Sequence, residues 1–217
     1  MRLNQFIARA TGLSRRAADY AVSEGRVTIN GKSAQTGRAV TGSDTVQLDG
    51  TTLVLPTETL TIILNKPVGY VCSRAGQGSR TIYELLPPEL HRLKPVGRLD
   101  KDSSGLLLLT DDGDLANELT HPRHAKEKIY EVALDRPLTP EDAARVEQGV
   151  KLEDGPSKLQ VKNSSGKRFT VTMHEGRNRQ IRRTFAALGY DVRKLHRIQF
   201  GHFTVNCVQA GTFTFVE

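Results

Sequence analysis

Residues 97–113 read GRLDKDSSGLLLLTDDG, and the parsing of this stretch decides the fold. The leucines at 106–109 form an apolar run too short for a helix and bounded by turn residues, the pattern of a buried strand. Ahead of it lies a polar turn carrying Asp100, Asp102, Ser103, Ser104 and Gly105. A buried strand holds the turn before it rigidly, and this turn presents Asp100 close behind Arg98. Polar loops on rigid scaffolds are where catalytic groups usually sit. Two plainer readings compete. One is an ordinary loop, with Asp and Ser in local turn hydrogen bonds and Gly105 at an unusual backbone angle. From the turn alone this is the preferred reading. The other is a calcium loop, because Asp100, Asp102, Ser104, Gly105 and Asp111 follow the spacing of an EF-hand. That motif ends on a bidentate Glu between two amphipathic helices. Here the second half is Leu-rich and strand-like, so the calcium reading is set aside.

The 217 residues leave room for one or two domains with a real core. Hydrophobic and charged contents of 37% and 25% suit a soluble globular protein, and no run is long and apolar enough to span a bilayer. Lysine and arginine number 31 against 24 acids, a net charge of +7. That excess suggests a polyanionic partner or simply serves solubility, and the placement of the cations has to decide. Cys72 and Cys207 sit in apolar, strand-like surroundings and form no C-x-x-C, so they read as free thiols of a reducing compartment. With no signal-like start, a cytoplasmic protein is expected, and a monomer by default.

Residues 2–10 have helical spacing, and Ser14 is a good N-cap for a second helix to about Glu24. Residues 27–29 and 45–48 read as strands, with Asn30-Gly31 a strong hairpin signal and Asp49-Gly50 after the second. Residues 1–50 therefore form a small unit of two helices and a hairpin. Residues 51–59 carry Pro56 and no clear period and read as a linker; residues 60–217 form the larger domain. There, 61–65 is a strand before Lys66-Pro67, and 81–86 is a short helix closed by Pro87-Pro88. A helix starts near Asp114. His121 and His124 invite a metal reading, but no further ligand has suitable spacing, and a solvated loop is expected. Residues 126–133 alternate, with Lys128, Tyr130 and Val132 on one face. Thr139 caps a helix ended by Gly149. Hairpins around Gly155 and Gly166 lead to a strand at 169–174. A helix from Asn178 to Gly189 brings Arg179, Arg182 and Arg183 together, and strands at 200–206 and 212–216 complete a sheet.

Several of these stretches resemble known families. GRLDKDSSGLLLLTDDG resembles the active-site motif of the pseudouridine synthases, in the branch that modifies ribosomal RNA. LNKPVGYVCS and GRNRQIRR resemble two further signatures of that family, and SRRAAD with GRVTINGK resembles the S4 RNA-binding domain. The resemblance implies an α+β protein: a small S4 domain followed by a mixed, mainly antiparallel sheet. It implies isomerisation of a uridine in ribosomal RNA to pseudouridine, with base flipping and Asp100 as the essential carboxylate. The K-x-Y element puts a uracil-stacking role on Tyr130, with Lys128 beside it. The QIR element puts the guanidinium paired with Asp100 on Arg182, with Arg179 the second choice. Arg98 is implied to enter the gap left by the flipped base. Arg15, Arg16, Arg26 and Lys32 would form the phosphate-facing patch of the S4 unit.

The chemistry breaks the bond from ribose to uracil N1 and rejoins the base at C5, with no redox change and no group transfer. No cofactor or metal is therefore expected. Burial would disfavour an ionised carboxylate, and an adjacent guanidinium opposes that shift. Asp100 would act either as a nucleophile on C1′ or as a base on the C2′ proton. Taken without the motifs, Tyr130 is a core aromatic and the arginine helix a solvated surface. Two rival functions stand beside this one. A non-catalytic RNA-binding ribosome assembly factor would share the charge pattern but not need Asp100, Tyr130 and Arg182 together. A magnesium nuclease would use Asp100, Asp102, Asp111, Asp112 and Asp114, but strand alternation sends Asp111 and Asp112 to opposite faces.

Overall fold

Asn30 and Gly31, then Asp49 and Gly50, all take positive φ (52°, 75°, 50° and 78°), the backbone a two-residue hairpin turn demands. These two turns organise the first of two units, Met1–Thr59 and Leu60–Glu217, into which the contacts divide the chain. The computed structural model describes residues 1–216, with 163–165 by their backbone alone; Glu217, the end of the expected larger domain, lies outside the described residues. In the first unit, helices α1 (Leu3–Thr11) and α2 (Arg15–Ser23) precede strands β1 (Val27–Ile29), β2 (Lys32–Ser33), β3 (Val46–Leu48) and β4 (Thr51–Thr52). Ser14 caps α2 by accepting from the Ala17 N–H at 3.0 Å. The sheet order is β2-β1-β3-β4. Leu3, Ile7, Ala18, Ala21, Val27 and Ile29 are among the residues of its small core. Thr51 and Thr52, expected in the linker, pair with β3 instead, because the Asp49-Gly50 turn folds them back.

The second unit runs β5 (Thr61–Lys66), β6 (Lys94–Pro95), β7 (Ser104–Thr110), α3 (Gly113–Thr120), β8 (Lys128–Leu134), α4 (Pro140–Gln148), β9 (Val150–Leu152), β10 (Gly155–Ser157), β11 (Gln160–Ser165), β12 (Arg168–Met173), α5 (Gln180–Ala186), β13 (Val192–Phe200), β14 (Phe203–Thr204) and β15 (Phe213–Phe215). Its main sheet has the order β11-β12-β8-β13-β7-β5-β15, with β14 on β13 and β6 on β7. The pairing of β13 with β7 is parallel, and the other pairings are antiparallel. This is the mixed, mainly antiparallel sheet of the α+β expectation. The leucine run explains its centre. Leu107 and Leu109 enter the core on one face, and Leu106 and Leu108 the core on the other. Strand alternation makes a run buried on both faces read as continuously apolar.

Several local expectations are revised. The segment 200–206 is not one strand: β13 ends at Phe200, and Gly201 and His202 turn it into β14. The element at 82–85 is a 3₁₀ helix with a Thr81–Glu84 capping box. Helix α3 begins at Gly113, close to the expected start near Asp114, with Asp112 as its N-cap. Cys72 packs on the core, but Cys207 is exposed at positive φ, in a turn and not in strand-like surroundings. Among the described residues no helix is long and apolar enough to cross a membrane.

Candidate active site

The turn before β7 carries Asp100, and its backbone is tied at four successive carbonyls. Lys66, at the end of β5, donates from Nζ to the Asp100 carbonyl at 3.0 Å and the Ser103 carbonyl at 2.7 Å. The Gly69 N–H donates to the Lys101 carbonyl at 2.7 Å. Arg182 donates from Nη2 to the Asp102 carbonyl at 2.8 Å. Lys66 is fully buried. Burial pushes its ammonium below the usual lysine value, and Cys72, Asp100 and Asp102 oppose that shift. A buried cation that neutralises carbonyl dipoles in place of water holds a polar turn in one geometry. In the sequence Lys66 reads only as part of a core strand and turn; its buried position among backbone acceptors shows in the fold.

The guanidinium beside Asp100 is that of Arg179. Its Nη1 lies 3.4 Å from Asp100 Oδ2, and its fork donates to both oxygens of Asp102 at 2.9 Å. The hydrogen bonds from Arg179 hold the Asp102 carboxyl below its ordinary range, against the opposing effect of burial. Arg182, the expected partner of Asp100, stands behind the turn. It donates to the Val192 and Asp102 carbonyls at 2.8 Å, and its Nε is 3.2 Å from Asp102 Oδ2 without the alignment of a hydrogen bond. The guanidinium groups of Arg179 and Arg182 both meet Asp102 Oδ2, and Arg179 also reaches Asp100. Arg179 is the N-cap of α5 and sits in the left-handed region, φ 46° and ψ 32°. A non-glycine residue held there marks a site where geometry outweighs local preference. Arg183, expected to join this cluster, instead pairs with Asp154. Arg193 pairs with Asp191 and Lys194 with Glu131. Asp154 comes from the turn between β9 and β10, Glu131 from β8, and Asp191 from just ahead of β13.

A cleft of about 1010 Å³ opens beside the turn. Arg98, Asp100, Lys128, Tyr130 and Arg179 line it, and Arg182 does not. Arg98 is exposed at its edge. The Asp100 side chain is 34% exposed, whereas Tyr130 on β8 is 8% exposed. The cleft therefore offers a carboxylate accessible to solvent and an aromatic ring largely withdrawn from it. His121 accepts from the Arg123 N–H at 3.2 Å and caps a 3₁₀ turn, as a loop residue does. Asp111 accepts from the Leu60 N–H and pairs with Arg92, and Asp112 caps α3. These carboxylates are committed to the fold, away from Asp100. In the first unit Arg15, Arg16 and Lys32 are exposed. Arg26 forms a two-pronged pair with Asp49, which withdraws part of its charge from the expected patch.

Comparison with known proteins bears on both units. The family model described as RNA pseudouridylate synthase matches residues 60–187, and the S4 domain model matches residues 1–46. The chain is 38% identical to the ribosomal large subunit pseudouridine synthase B of Bacillus subtilis, covering 97% of this chain and 89% of that one. It is 37% identical to the ribosomal small subunit pseudouridine synthase A of Yersinia pestis, covering 95% and 90%. A crystal structure of a pseudouridylate synthase superposes with a TM-score of 0.73 at 34% identity, covering 100% of this chain and 96% of that one.

Proposed function

We propose, on the premise that this chain belongs to the RNA pseudouridylate synthase family, that it isomerises one uridine of ribosomal RNA to pseudouridine, with Asp100 as the essential carboxylate. The observation that carries this reading is the shared cleft, where Asp100, Arg179 and Tyr130 face one space. The target base leaves its stack at a cost of a few kcal/mol, and Arg98 at the edge of the cleft fills the gap. Tyr130 stacks on the uracil. The Asp100 carboxylate stands beside the sugar, paired with Arg179 Nη1 at 3.4 Å. It attacks C1′ or takes the C2′ proton, and the base turns and rejoins through C5. Phosphate contacts made by the S4 unit and by the cations of the larger unit offset the flipping cost. Purified chain incubated with unmodified small- and large-subunit ribosomal RNA should release the C5 proton of tritiated uridine at one mapped position. Binding without any tritium release on either RNA would instead identify an assembly factor.

The two arginines separate by experiment. Arg179→Ala should lower turnover more than about 10-fold with melting little changed, because its contacts to Asp100 and to both oxygens of Asp102 are lost at a partly exposed surface and no buried group is orphaned. Arg182→Ala should lower stability by about 2–3 kcal/mol, because it strips hydrogen bonds from two carbonyls. It should lower turnover too, through loss of the Asp102 tether. Full turnover in Arg179→Ala would return the pairing role to Arg182.

The S4 unit has its own test. Arg15→Ala with Arg16→Ala should weaken RNA binding and reduce the slope of log K against log salt by roughly 1.5–2 units, about one per lost phosphate contact. An unchanged slope would remove both residues from the RNA-facing surface.

A further inference from the structure

Arg197 heads the fully buried side chains by volume, and its charge stands apart from the others. Its Nε donates to the Leu106 carbonyl at 2.8 Å, but its Nη2 is buried without an acceptor. The guanidinium lies 4.9 Å from the centre of the Phe200 ring. An uncompensated buried charge is among the costliest features a fold carries. Lys66 and Arg182 meet carbonyls, and Arg182 also Asp102. Arg197 has no comparable anionic partner among the described residues.

Its position gives the reason. Arg197 is the cross-strand partner of Tyr130, so the two side chains share a face of the sheet, and both line the cleft. Lys128 approaches the same Phe200 ring at 5.0 Å. Burial and, less strongly, the positive charge of Arg197 push the Lys128 ammonium down. Two cations thus crowd the inner wall of the cleft beside the tyrosine. With Arg197 only 2% exposed, the group that reaches it must be flat and deeply inserted. A base meets that requirement; a phosphate held at the level of the solvent-accessible Asp100 does not.

We propose that Arg197 is a further catalytic residue, donating from Nη2 to a carbonyl oxygen, O2 or O4, of the target uracil and stabilising the charge that gathers there as the glycosidic bond breaks. The inference rests on the reading of the cleft as the uridine site. In the step, the C1′–N1 bond breaks and its electron pair leaves with the base, so the ring becomes an anion delocalised over N1, O2 and O4. The pair returns when C5 bonds to C1′. C5 then loses its proton and N1 gains one, so the product is an isomer of the substrate. A donor fixed in advance in a dry site stabilises such charge far better than water does.

The test measures single-turnover pseudouridine formation on RNA carrying uridine, 2-thiouridine or 4-thiouridine at the mapped position. Sulfur accepts hydrogen bonds poorly, so one of the two thio substrates should slow the wild type about 10-fold or more. Arg197→Met should be slowed about 10²-fold on uridine, the usual effect of removing one such donor. The same sulfur should slow it little further. A wild type indifferent to both sulfur positions overturns the inference, and that outcome needs no variant to fold. Fully multiplicative effects of variant and sulfur overturn it as well. So does a variant with weaker, less salt-dependent RNA binding but an unchanged rate, which would assign the guanidinium to a phosphate. A wild type that forms no pseudouridine at all sinks the reading of the cleft, a separate failure that carries this inference with it.

Discussion

Asp100→Ala should abolish pseudouridine formation, a fall of about 10⁴-fold or more as expected for the loss of a group that acts covalently or as the base, while RNA affinity and melting temperature stay near wild type. The separation of these effects comes from how the turn is held. Lys66, Gly69 and Arg182 grip its carbonyls, and none of these contacts uses the Asp100 carboxylate. Removing that carboxylate therefore leaves the turn standing. Arg179 is not orphaned, because its fork still holds Asp102 at 2.9 Å. Stability should change by no more than about 0.5 kcal/mol, the range of partly exposed sites free of such features. Single-turnover conversion, filter binding and thermal melting check the three parts. Conversion by Asp100→Ala within 10-fold of wild type would move the chemistry to another residue, with Asp102 the first to examine.

Gly105→Ala should have the largest effect on stability. Gly105 has φ +104°, a region that side chains rarely occupy. A Cβ there would lie 2.2 Å from the Arg197 carbonyl oxygen and 2.6 Å from its nitrogen. These are backbone atoms of β13, so no rotamer change relieves the clash. The parallel ladder that pairs Ser104 with His196 and Gly105 with Arg197 must open instead. The cost should reach about 4 kcal/mol, the upper end for a single substitution, and melting should fall by roughly 10 °C. Turnover should fall with it, because the same ladder joins the Asp100 turn to the strand carrying Arg197. A melting temperature within about 2 °C of wild type, on the same scale, would mean that this junction relaxes far more easily than a packed sheet should.

How much was legible in the chain depends on the range of the interaction. Ser14 and Thr139 as helix caps, Asn30-Gly31 and Asp49-Gly50 as turns, and the four leucines as a doubly buried strand all follow from residues a few positions apart. Local sterics and a two- or three-residue period settle such features wherever they occur. The motif residues Asp100, Tyr130 and Arg179 could likewise be named as candidates, because short motifs bring their own residue types. The pairings have a different origin. The fold sets Arg179 beside Asp100 and Arg182 on the carbonyl and carboxylate of Asp102, and Asp154 takes Arg183. A hairpin likewise brings Asp49 to Arg26.

By itself, then, the sequence determined the central strands, the two hairpin turns, the Ser14 and Thr139 caps and the identity of the carboxylate-bearing loop, because each depends on steric and hydrophobic preferences of neighbouring residues. Only the tertiary structure decided which guanidinium meets Asp100, that Lys66 fastens the loop from beneath, and that Arg197 lies buried beside Tyr130. Those outcomes hinge on contacts between residues tens of positions apart. An ionic partner acts over a few ångströms whatever its distance along the chain, and folding alone brings it there.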